Sequence, residues 1–254
     1  MSIAVNVAEG VMSIAFDRPE KKNAINAAMY GTIADAIERA GEDPAVRCVL
    51  FHGSDAVFTA GNDVTDFLQN PAQGEQSHVV RFLRGLATCP KPMVAAVNGA
   101  AIGVGTTMLL HCDLVYAGES AAFSTPFAQL GLCPEAASSL LLPALAGYQR
   151  AAEKLLLGEP FGAHEAREMG LVLRVLPDAE TLAFARAQAA RLVALPPAAL
   201  RATKRLMKRA SVEAVAAQMT EELTEFAVRL RSPEAREVFT AFLAKRKPDF
   251  SKFE

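Results

Sequence analysis

The amino-acid sequence predicts an α/β protein with a mixed core and a helical C-terminal region. Up to residue 176, short segments rich in β-branched and aromatic residues alternate with segments in which apolar residues recur at helical spacing. From residue 179 onward the helical spacing continues almost without a break, and Pro196, Pro197 and Pro233 divide this tail. We therefore expect a core over residues 1–195 and a helical region over residues 196–254.

Seven segments of the core have the composition of β-strands. The first two flank Glu9-Gly10, a pair that indicates a hairpin turn. The third, AVRCVLFHG, is a compact run of β-branched and aromatic residues, which indicates a buried strand. The predicted strands are residues 3–7, 11–16, 45–53, 93–99, 113–118, 121–126 and 170–177.

Helical periodicity is clear after residue 26, where Met29, Ile33 and Ile37 recur at intervals of four and the pattern stops between Gly41 and Pro44. Residues 54–63 follow the third strand as a predicted loop. The remaining predicted helices are residues 76–89 and 103–112, segments from about 137 and from 150, and then 179–194, 198–209, 211–230 and 234–246.

The composition argues against several functions. Lys and Arg number 26 against 28 Asp and Glu, so the net charge of −2 gives no general attraction to nucleic acid or to an anionic membrane. Trp is absent, which argues against a base-stacking platform. The uncharged segment 92–112 is interrupted by Asn98 and by glycines and threonines, so it fits a strand and a buried helix better than a membrane span.

The cysteines and histidines give no sign of a metal site or a disulfide framework. The four residues of each type are scattered, without a CxxC, HxxxH or HxH spacing. Such cysteines are typical of small buried side chains in a reducing compartment. The N-terminal residues alternate apolar and polar from the start, so we expect no signal or transit peptide and a cytoplasmic protein.

Two glycine-rich loops, FTAGND (58–63) and NGAAIGVG (98–105), each follow a predicted strand. Glycine lets the backbone approach a ligand closely, and the second loop opens a helix whose first amides favour an anion. Amides from the two loops could together hold a developing oxyanion, although each loop taken alone is better explained as a tight turn. The GxG of the second loop lacks a third glycine, because residue 108 is Met, and we therefore exclude NAD binding.

Glu135 is the single charged side chain in the thirty residues from 120 to 149. A carboxylate is rarely buried without a partner, because its ionised form is costly to desolvate. The local sequence favours a solvated helix start, since Pro134-Glu135 precedes small residues and an acid suits the positive end of the helix dipole. The alternative is an acid with a chemical role.

Several separated motifs together resemble the crotonase (enoyl-CoA hydratase/isomerase) superfamily, over about residues 3–250. They are FTAGND, KPMVAAVNGAAIGVGTTMLLHCDLVYAGESAAFSTPFAQLGL, GEPFGAHEAREMGLVLRVLP and the terminal FLAKRKPDF. The resemblance implies a spiral of ββα units surrounded by helices, with a helical C-terminal region used for trimerisation. It also implies an acyl-CoA thioester substrate, a homotrimer or dimer of trimers, and no cofactor, since coenzyme A enters only as part of the substrate.

The resemblance also assigns residues to a site. By position, the backbone amides of Asn62 and Val104 would stabilise an enolate in an oxyanion hole. Lys22 and Ala24 match the segment beside the pantetheine and ribose phosphate, and the basic residues 245–247 could reach phosphates across a subunit boundary or be an ordinary solvated helix end. The substrate-binding residues implied in total are Lys22, Ala24, Ala60, Gly61, Asp63, Val64, Gly103, Phe127 and Leu132.

Two departures from the superfamily pattern bear on the reaction. Enoyl-CoA hydratases carry two glutamates where this chain has Thr107 and Phe127, so the resemblance implies weak or absent hydration. Glu135 instead matches the lone acid of the peroxisomal-type Δ3,Δ2-enoyl-CoA isomerases, in the context FSTPFAQLGLCPEAASSLLLP. The resemblance therefore makes Glu135 the predicted catalytic base, against the purely local interpretation.

The environment expected for this base is apolar. A wall of Phe127, Leu132 and Leu140 would exclude water and raise the pKa of the carboxyl group. Thr107 and Ser138 could orient substrate, but ordinary helix hydroxyls bonded to backbone are the preferred interpretation.

The predicted function is that of an isomerase which shifts a 3-enoyl-CoA double bond to give 2-enoyl-CoA, in fatty-acid β-oxidation or related acyl-CoA degradation. One alternative is an enoyl-CoA hydratase or another acyl-CoA enzyme of the same superfamily. An alternative of another class is an inactive acyl-CoA-binding scaffold.

Overall fold

The structure is a computed structural model that describes residues 2–69, 74 and 76–253. Within these residues the strands are β1 (Ile3–Ala8), β2 (Val11–Phe16), β3 (Cys48–His52), β4 (Val57–Thr59), β5 (Met93–Val97), β6 (Ala100–Ile102), β7 (Leu114–Gly118), β8 (Ala122–Ser124), β9 (Phe161–Gly162) and β10 (Arg174–Leu176). The helices are α1 (Ala27–Glu42), α2 (Val64–Gln69), α3 (His78–Thr88), α4 (Val104–Thr107), α5 (Ser138–Ala146), α6 (Tyr148–Ala152), α7 (Ala163–Glu168), α8 (Asp178–Val193), α9 (Pro197–Lys208), α10 (Val212–Leu230) and α11 (Pro233–Leu243).

The larger of two sheets has the strand order β1-β2-β3-β5-β7-β10 in the described residues. β1 and β2 pair antiparallel through the predicted hairpin turn, where Glu9 and Gly10 both have positive φ. The pairs from β2–β3 to β7–β10 are parallel, so each requires a crossover connection. β3 and β5 are buried almost throughout, as their continuous apolar sequences predict.

The smaller sheet, of order β4-β6-β8-β9, supplies the second strand of each repeat. β4, β6 and β8 directly follow β3, β5 and β7, and helical turns follow each of these pairs. This is the ββα unit that the resemblance predicts, and the predicted fold class is confirmed.

Helices cover both faces of the larger sheet. One continuous apolar cluster joins β2, β3 and β5 to α1 and α3, and it includes Ile14, Phe51, Ile33 and Leu83. A second cluster holds α8 against β3, β5 and β7. The predicted long α8 is therefore a core helix, which packs closely because alanines occupy its buried face.

Of the smaller sheet, the sequence patterns predicted β8, within the predicted strand 121–126, but not β4, β6 or β9. β4 lies inside the predicted loop 54–63, and β6 lies inside the glycine-rich segment 98–105. These strands have three residues each, too few to show an alternating pattern. The predicted helix 103–112 is a short α4 followed by a 3-10 turn at Met108–His111.

The C-terminal helices fold back over the core. The predicted boundary between residues 1–195 and 196–254 falls between α8 and α9. α9 is tied to the larger sheet by a buried ion pair in which Lys204 Nζ lies 2.7 Å from Asp113 Oδ2. α10 packs against α3 and α5, and α11 packs against the turn Ala128–Leu130. These contacts bring the tail to the same side of the molecule as the glycine-rich loops.

Candidate active site

Glu135 is buried, with 6% of its surface exposed, and it lines a cleft of about 260 Å³. It precedes α5 by three residues and does not lie in the first helical turn, so the solvated-helix-start interpretation is wrong. The cleft is mostly apolar, and its remaining walls come from α1, α3 and α10 together with Asn62 and Gly74. The structure therefore places the lone acid of this sequence segment inside a cleft.

The backbone that carries Glu135 is an unusual turn. Ala136 and Ala137 both adopt left-handed conformations, with φ of 61° and 55°. Such angles are uncommon for residues with a side chain and persist only where the surroundings fix them. His111 contributes to that fixation, because its Nε2 lies 2.8 Å from the Ala136 carbonyl oxygen. Burial lowers the pKa of His111 to about 4, so the ring is neutral and donates this bond through Nε2–H.

Thr107, from α4, donates a hydrogen bond to Glu135 Oε1. Its hydroxyl is fully buried, and its distance to the Val104 carbonyl oxygen is 3.5 Å, at the limit of a hydrogen bond. The preferred expectation of an ordinary helix hydroxyl is therefore incomplete. Ser138 is also fully buried, and in the described residues its Oγ has no hydrogen-bond partner. Thr107 holds the acid, whereas the structure gives Ser138 Oγ no such contact.

The surroundings of Glu135 raise its pKa from 4.5 to about 7. Burial is the largest cause, because it penalises the ionised form. The Thr107 hydrogen bond opposes the rise, and the nearby Glu222 carboxylate adds to it. A group with a pKa near 7 exists in both protonation states at neutral pH, so it can both accept and return a proton.

Asn62 and Val104, the two predicted oxyanion-hole residues, line one cavity of about 100 Å³ beside the cleft. Val104 is the first residue of α4, and Asn62 follows Gly61 at the end of the first glycine-rich loop. In the part of the chain that the structure describes, neither backbone N–H donates to a protein acceptor. Asn62 also lines the cleft that contains Glu135, so the cleft and the smaller cavity adjoin at this residue.

Local geometry explains why glycine is needed in the first loop. Gly61 has φ of 82°, and a Cβ atom at this position would lie 2.6 Å from the Ile102 carbonyl oxygen. The loop is also fixed from the side of α1, because Ile25 N–H donates to the Gly61 oxygen at 2.8 Å. Tyr30 Oη donates to Asn62 Oδ1 at 2.5 Å, which holds the side chain of the predicted oxyanion residue. The first amide is therefore presented by a rigid loop.

The apolar walls differ from those expected. Phe127 and Leu132 line the smaller cavity, next to Gly103 and Val104. The cleft beside Glu135 is instead walled by apolar residues of α3 and α10, namely Val79, Val80, Leu83, Leu223, Phe226, Ala227 and Leu230. Phe226 lines both the cleft and the smaller cavity. Leu140, the third residue expected in the wall, packs on the edge of the main core.

The residues assigned to coenzyme A binding lie around the first glycine-rich loop. Ala60 N–H donates to the Lys22 carbonyl oxygen at 3.0 Å, which joins the two predicted segments. Asp63 forms an ion pair with Arg18 at 2.7 Å, and the same Arg18 nitrogen donates to the Ala24 oxygen at 3.0 Å. Ala60, Gly61 and Val64 of the predicted set line the smaller cavity, as do Gly103, Phe127 and Leu132.

The basic residues 245–247 are exposed at the end of the chain. Arg246 is engaged within the chain, since its Nη1 and Nη2 lie 2.5 and 2.9 Å from the two carboxylate oxygens of Glu237. That pairing lowers the pKa of Glu237 to about 2. Phosphate binding by Lys245 and Lys247 stays a prediction.

Sequence reasoning missed the contribution of α1 and α10 to this site. Tyr30 gave no recognisable signal, because a tyrosine in an amphipathic helix usually belongs to the core. Glu222 did give a sequence signal. It follows Met219 by three residues and precedes Phe226 by four, which places an acid in the apolar face of a predicted helix. It is 5% exposed in the structure.

No cluster of three His, Cys, Asp or Glu side chains suited to a metal ion occurs among the described residues. Among the helices that the structure describes, none combines the length and the apolar character that a bilayer crossing requires.

Comparison with known proteins gives consistent similarities. The sequence model of the enoyl-CoA hydratase/isomerase family matches residues 6–252. The 1,2-epoxyphenylacetyl-CoA isomerase of Escherichia coli (strain K12) is 37% identical over 257 residues, which cover 98% of each chain. The enoyl-CoA delta isomerase 2 of Rattus norvegicus is 38% identical over 252 residues, which cover 96% of this chain and 64% of the rat protein.

Among solved structures, the crystal structure of an enoyl-CoA hydratase/isomerase from Pseudoalteromonas atlantica T6c superimposes with a TM-score of 0.94. It is 43% identical in sequence, and the match covers 99% of this chain and 100% of the other. The similarity therefore extends over the whole fold and includes the C-terminal helices.

Proposed function

The chain belongs to the enoyl-CoA hydratase/isomerase family, and we propose that it is a Δ3,Δ2-enoyl-CoA isomerase. The observation that carries this proposal is Glu135, a buried carboxyl group in an apolar cleft beside the Asn62 and Val104 amides, which donate to no acceptor among the described residues. Family membership by itself gives a crotonase-type acyl-CoA enzyme, because the family includes both hydratases and isomerases. The choice between isomerisation and hydration rests on Glu135, Thr107 and Phe127.

In the proposed reaction, the Glu135 carboxylate removes a proton from C2 of a 3-enoyl thioester. The electrons of the C2–H bond form a C1=C2 bond as the carbonyl π electrons move onto the thioester oxygen, and the C3=C4 bond stays in place, so the resulting dienolate carries its charge on that oxygen. The Asn62 and Val104 amides stabilise that charge. When the carbonyl group re-forms, the C1=C2 electrons become the C2=C3 bond and the C3=C4 electrons take the proton from Glu135 at C4, without loss or gain of atoms.

The positions of Thr107 and Phe127 support isomerisation over hydration. Hydration requires a group that holds and activates water, and neither a phenyl ring nor a hydroxyl bonded to Glu135 does so. The cleft around Glu135 is walled by apolar side chains of α3 and α10, which disfavours an ordered water beside the reacting carbons. One carboxyl group with a pKa near 7 is sufficient for a proton shuttle.

The decisive experiment is a product assay on paired substrates. The purified protein is incubated separately with 3-enoyl-CoA and 2-enoyl-CoA thioesters of several chain lengths in D2O. The expected result is the conjugated 2-enoyl product without water uptake, with deuterium at C4 of this product and exchange at C2 of the recovered 3-enoyl substrate. Formation of a 3-hydroxyacyl product would support the hydratase alternative, and saturable binding without C2 exchange would support an inactive scaffold.

One further substrate belongs in the panel. The Escherichia coli relative that matches over 98% of both chains is a 1,2-epoxyphenylacetyl-CoA isomerase, and an apolar cleft of this kind is also compatible with a ring-bearing acyl group. Turnover of 1,2-epoxyphenylacetyl-CoA at a higher kcat/KM than any 3-enoyl-CoA would reassign both the substrate and the reaction.

A further inference from the structure

We propose that Glu222, on α10, is a positioning residue that holds the loop carrying Glu135 in the conformation required for proton transfer. The proposal rests on the proposed function only in taking Glu135 as the catalytic base. Glu222 lies far from Glu135 in sequence but is one of the few buried carboxyl groups of the described chain. Its carboxylate accepts hydrogen bonds from Ala137, in the turn after Glu135, and from Ser139, the second residue of α5.

Both carboxylate oxygens of Glu222 accept hydrogen bonds from this turn. Ala137 N–H donates to Oε2 at 2.6 Å, and Ser139 N–H donates to Oε1 at 3.0 Å. Ser139 Oγ donates to Oε1 as well, at 2.5 Å, and Gln218 Nε2 in turn donates to Ser139 Oγ at 2.9 Å. The donors are neutral, and two of them are amides at the N-terminus of α5, where a negative charge is favoured. Glu222 therefore caps α5 from a neighbouring helix.

The capped turn is the strained one. Ala136 and Ala137 follow Glu135 directly and both have positive φ, a conformation that residues with a side chain leave unless their neighbours hold them. His111 holds the carbonyl group of Ala136, and Glu222 holds the amide of Ala137. Loss of the Glu222 contacts would let the turn relax, and the carboxyl group of Glu135 would move with it.

Glu222 also acts on Glu135 through its charge. The titratable or charged groups that face Glu135 from the surrounding elements are Tyr30 on α1, Arg84 on α3, His111 in the 3-10 turn and Glu222 on α10. Of these, Glu222 contributes to the raised pKa of Glu135, after burial. A neutral side chain at position 222 should therefore lower the pKa of Glu135.

The test compares Glu222→Gln with Glu221→Gln. The first change keeps the side-chain size but places an NH2 group opposite backbone N–H donors, whereas the second makes the same charge change at an exposed neighbouring position. We expect Glu222→Gln to lower kcat roughly 10- to 100-fold with little change in KM, since a misplaced catalytic group loses rate rather than binding. Glu221→Gln should match the wild type.

A second readout does not require turnover. In protein labelled with 13C at the glutamate carboxyl carbons, the Glu135 signal is assigned by its absence in Glu135→Gln and titrated against pH. Its pKa should fall in Glu222→Gln and stay unchanged in Glu221→Gln. If the wild type isomerises no acyl-CoA, the proposed function fails, but this titration still tests the role of Glu222.

Wild-type kcat together with a wild-type Glu135 titration in a folded Glu222→Gln protein would overturn the proposal. Folding is checked by circular dichroism, and all rates are measured well below the melting temperature. If Glu222→Gln does not fold, Ser139→Ala removes one donor and leaves the charge. It should lower kcat by a smaller factor, and unchanged kcat in that variant would overturn the proposal as well.

Discussion

At the residue scale, Glu135 is a buried carboxyl group whose hydrogen-bond partner in the described structure is the neutral hydroxyl of Thr107. Most buried carboxylates are paired with a cation, which fixes them in the ionised form. Without such a pair, burial keeps the protonated and ionised forms of Glu135 close in free energy near neutral pH. Desolvation of the ionised carboxylate costs free energy, and because this cost raises the pKa toward neutral pH, it also makes the group suitable for exchanging protons.

Replacing Glu135 by Gln should abolish nearly all isomerase turnover and preserve acyl-CoA binding. The amide has the size of the carboxyl group and can still accept from Thr107, but it is not a base. Removal of a general base typically lowers the rate about 10²- to 10⁴-fold. Turnover is measured by formation of the conjugated thioester, and binding by calorimetry. Wild-type turnover in this variant would remove Glu135 from the mechanism.

The pH dependence of kcat/KM should report the same group. Because the base must be ionised to accept a proton, activity should fall as the pH drops through about 7. The Thr107 hydrogen bond lowers the pKa of Glu135, so Thr107→Val should move this acid limb to higher pH. The control is Thr32→Val, an exposed threonine bonded to its own helix. If the acid limb of the kcat/KM profile lies at the same pH in Thr107→Val as in the wild type, the hydroxyl does not stabilise the carboxylate.

At the scale of elements, the oxyanion hole depends on how closely the two glycine-rich loops approach each other. A Cβ atom at Gly61 would lie 2.6 Å from the carbonyl oxygen of Ile102, at the end of β6, and Gly103 next to Ile102 has φ of 57°. A short parallel pairing of β4 with β6 sets this approach, because each loop leaves one of the paired strands. The second, smaller sheet thus positions the amides.

Gly61→Ala should displace the first loop and impair catalysis. The added Cβ would lie 2.6 Å from a backbone oxygen, which cannot swing aside as a side chain could, and φ of 82° is unfavourable for alanine. Loss of one oxyanion donor lowers kcat about 10²- to 10³-fold. Steady-state kinetics on the acyl-CoA substrate provide the measurement. Gly162→Ala, where a Cβ meets nothing within 4 Å, is the matched control and should leave kcat unchanged.

At the scale of the whole molecule, Glu135 lowers stability at neutral and alkaline pH. Its pKa in the folded state, about 7, lies above the ordinary value of 4.5, so the folded protein binds more protons than the unfolded chain between these values. The stabilisation from this protonation is present below about pH 4.5 and is lost as the pH rises through 7. The loss amounts to about 3 kcal/mol of unfolding free energy by pH 8.

Glu135→Gln should therefore be more stable than the wild type at pH 8, and the difference should shrink toward pH 5. Urea denaturation at both values measures the free energy of unfolding. Equal stability of the two proteins at pH 8 would indicate that Glu135 is solvated in the folded state. An active site that gives up stability for reactivity is the expected pattern.

The assembly expected from the family resemblance is also testable at this scale. Large apolar side chains are exposed on α5, α6 and the turn after them, including Leu145, Tyr148, Leu156 and Leu157. Exposed large apolar side chains that lie close together in sequence are compatible with a subunit interface. Light scattering should give a mass about three or six times the 27.0 kDa of one chain, and a monomeric mass would contradict the prediction.

Much of the fold could be predicted from the sequence, because long elements carry their own periodic pattern. The alternation of buried strands with amphipathic helices, the hairpin at Glu9-Gly10 and the helical tail are all local properties. The motifs that predict the family also predicted Glu135, Asn62 and Val104 as site residues. Purely local reasoning favoured an exposed Glu135 at a helix start, because burial is decided by residues distant in the chain.

What the sequence by itself determined is the class of the fold, the family and the identity of one lone acid. Only the tertiary structure decided that α3 and α10 wall the cleft, that Tyr30 holds Asn62 and that Glu222 caps the turn beside Glu135. The physical reason is that each of these contacts joins residues far apart along the chain. Contacts of that kind produce no periodic pattern in the sequence. β4 and β6 of the smaller sheet were not predicted for a related reason, since three residues stabilised by their neighbours need no pattern of their own.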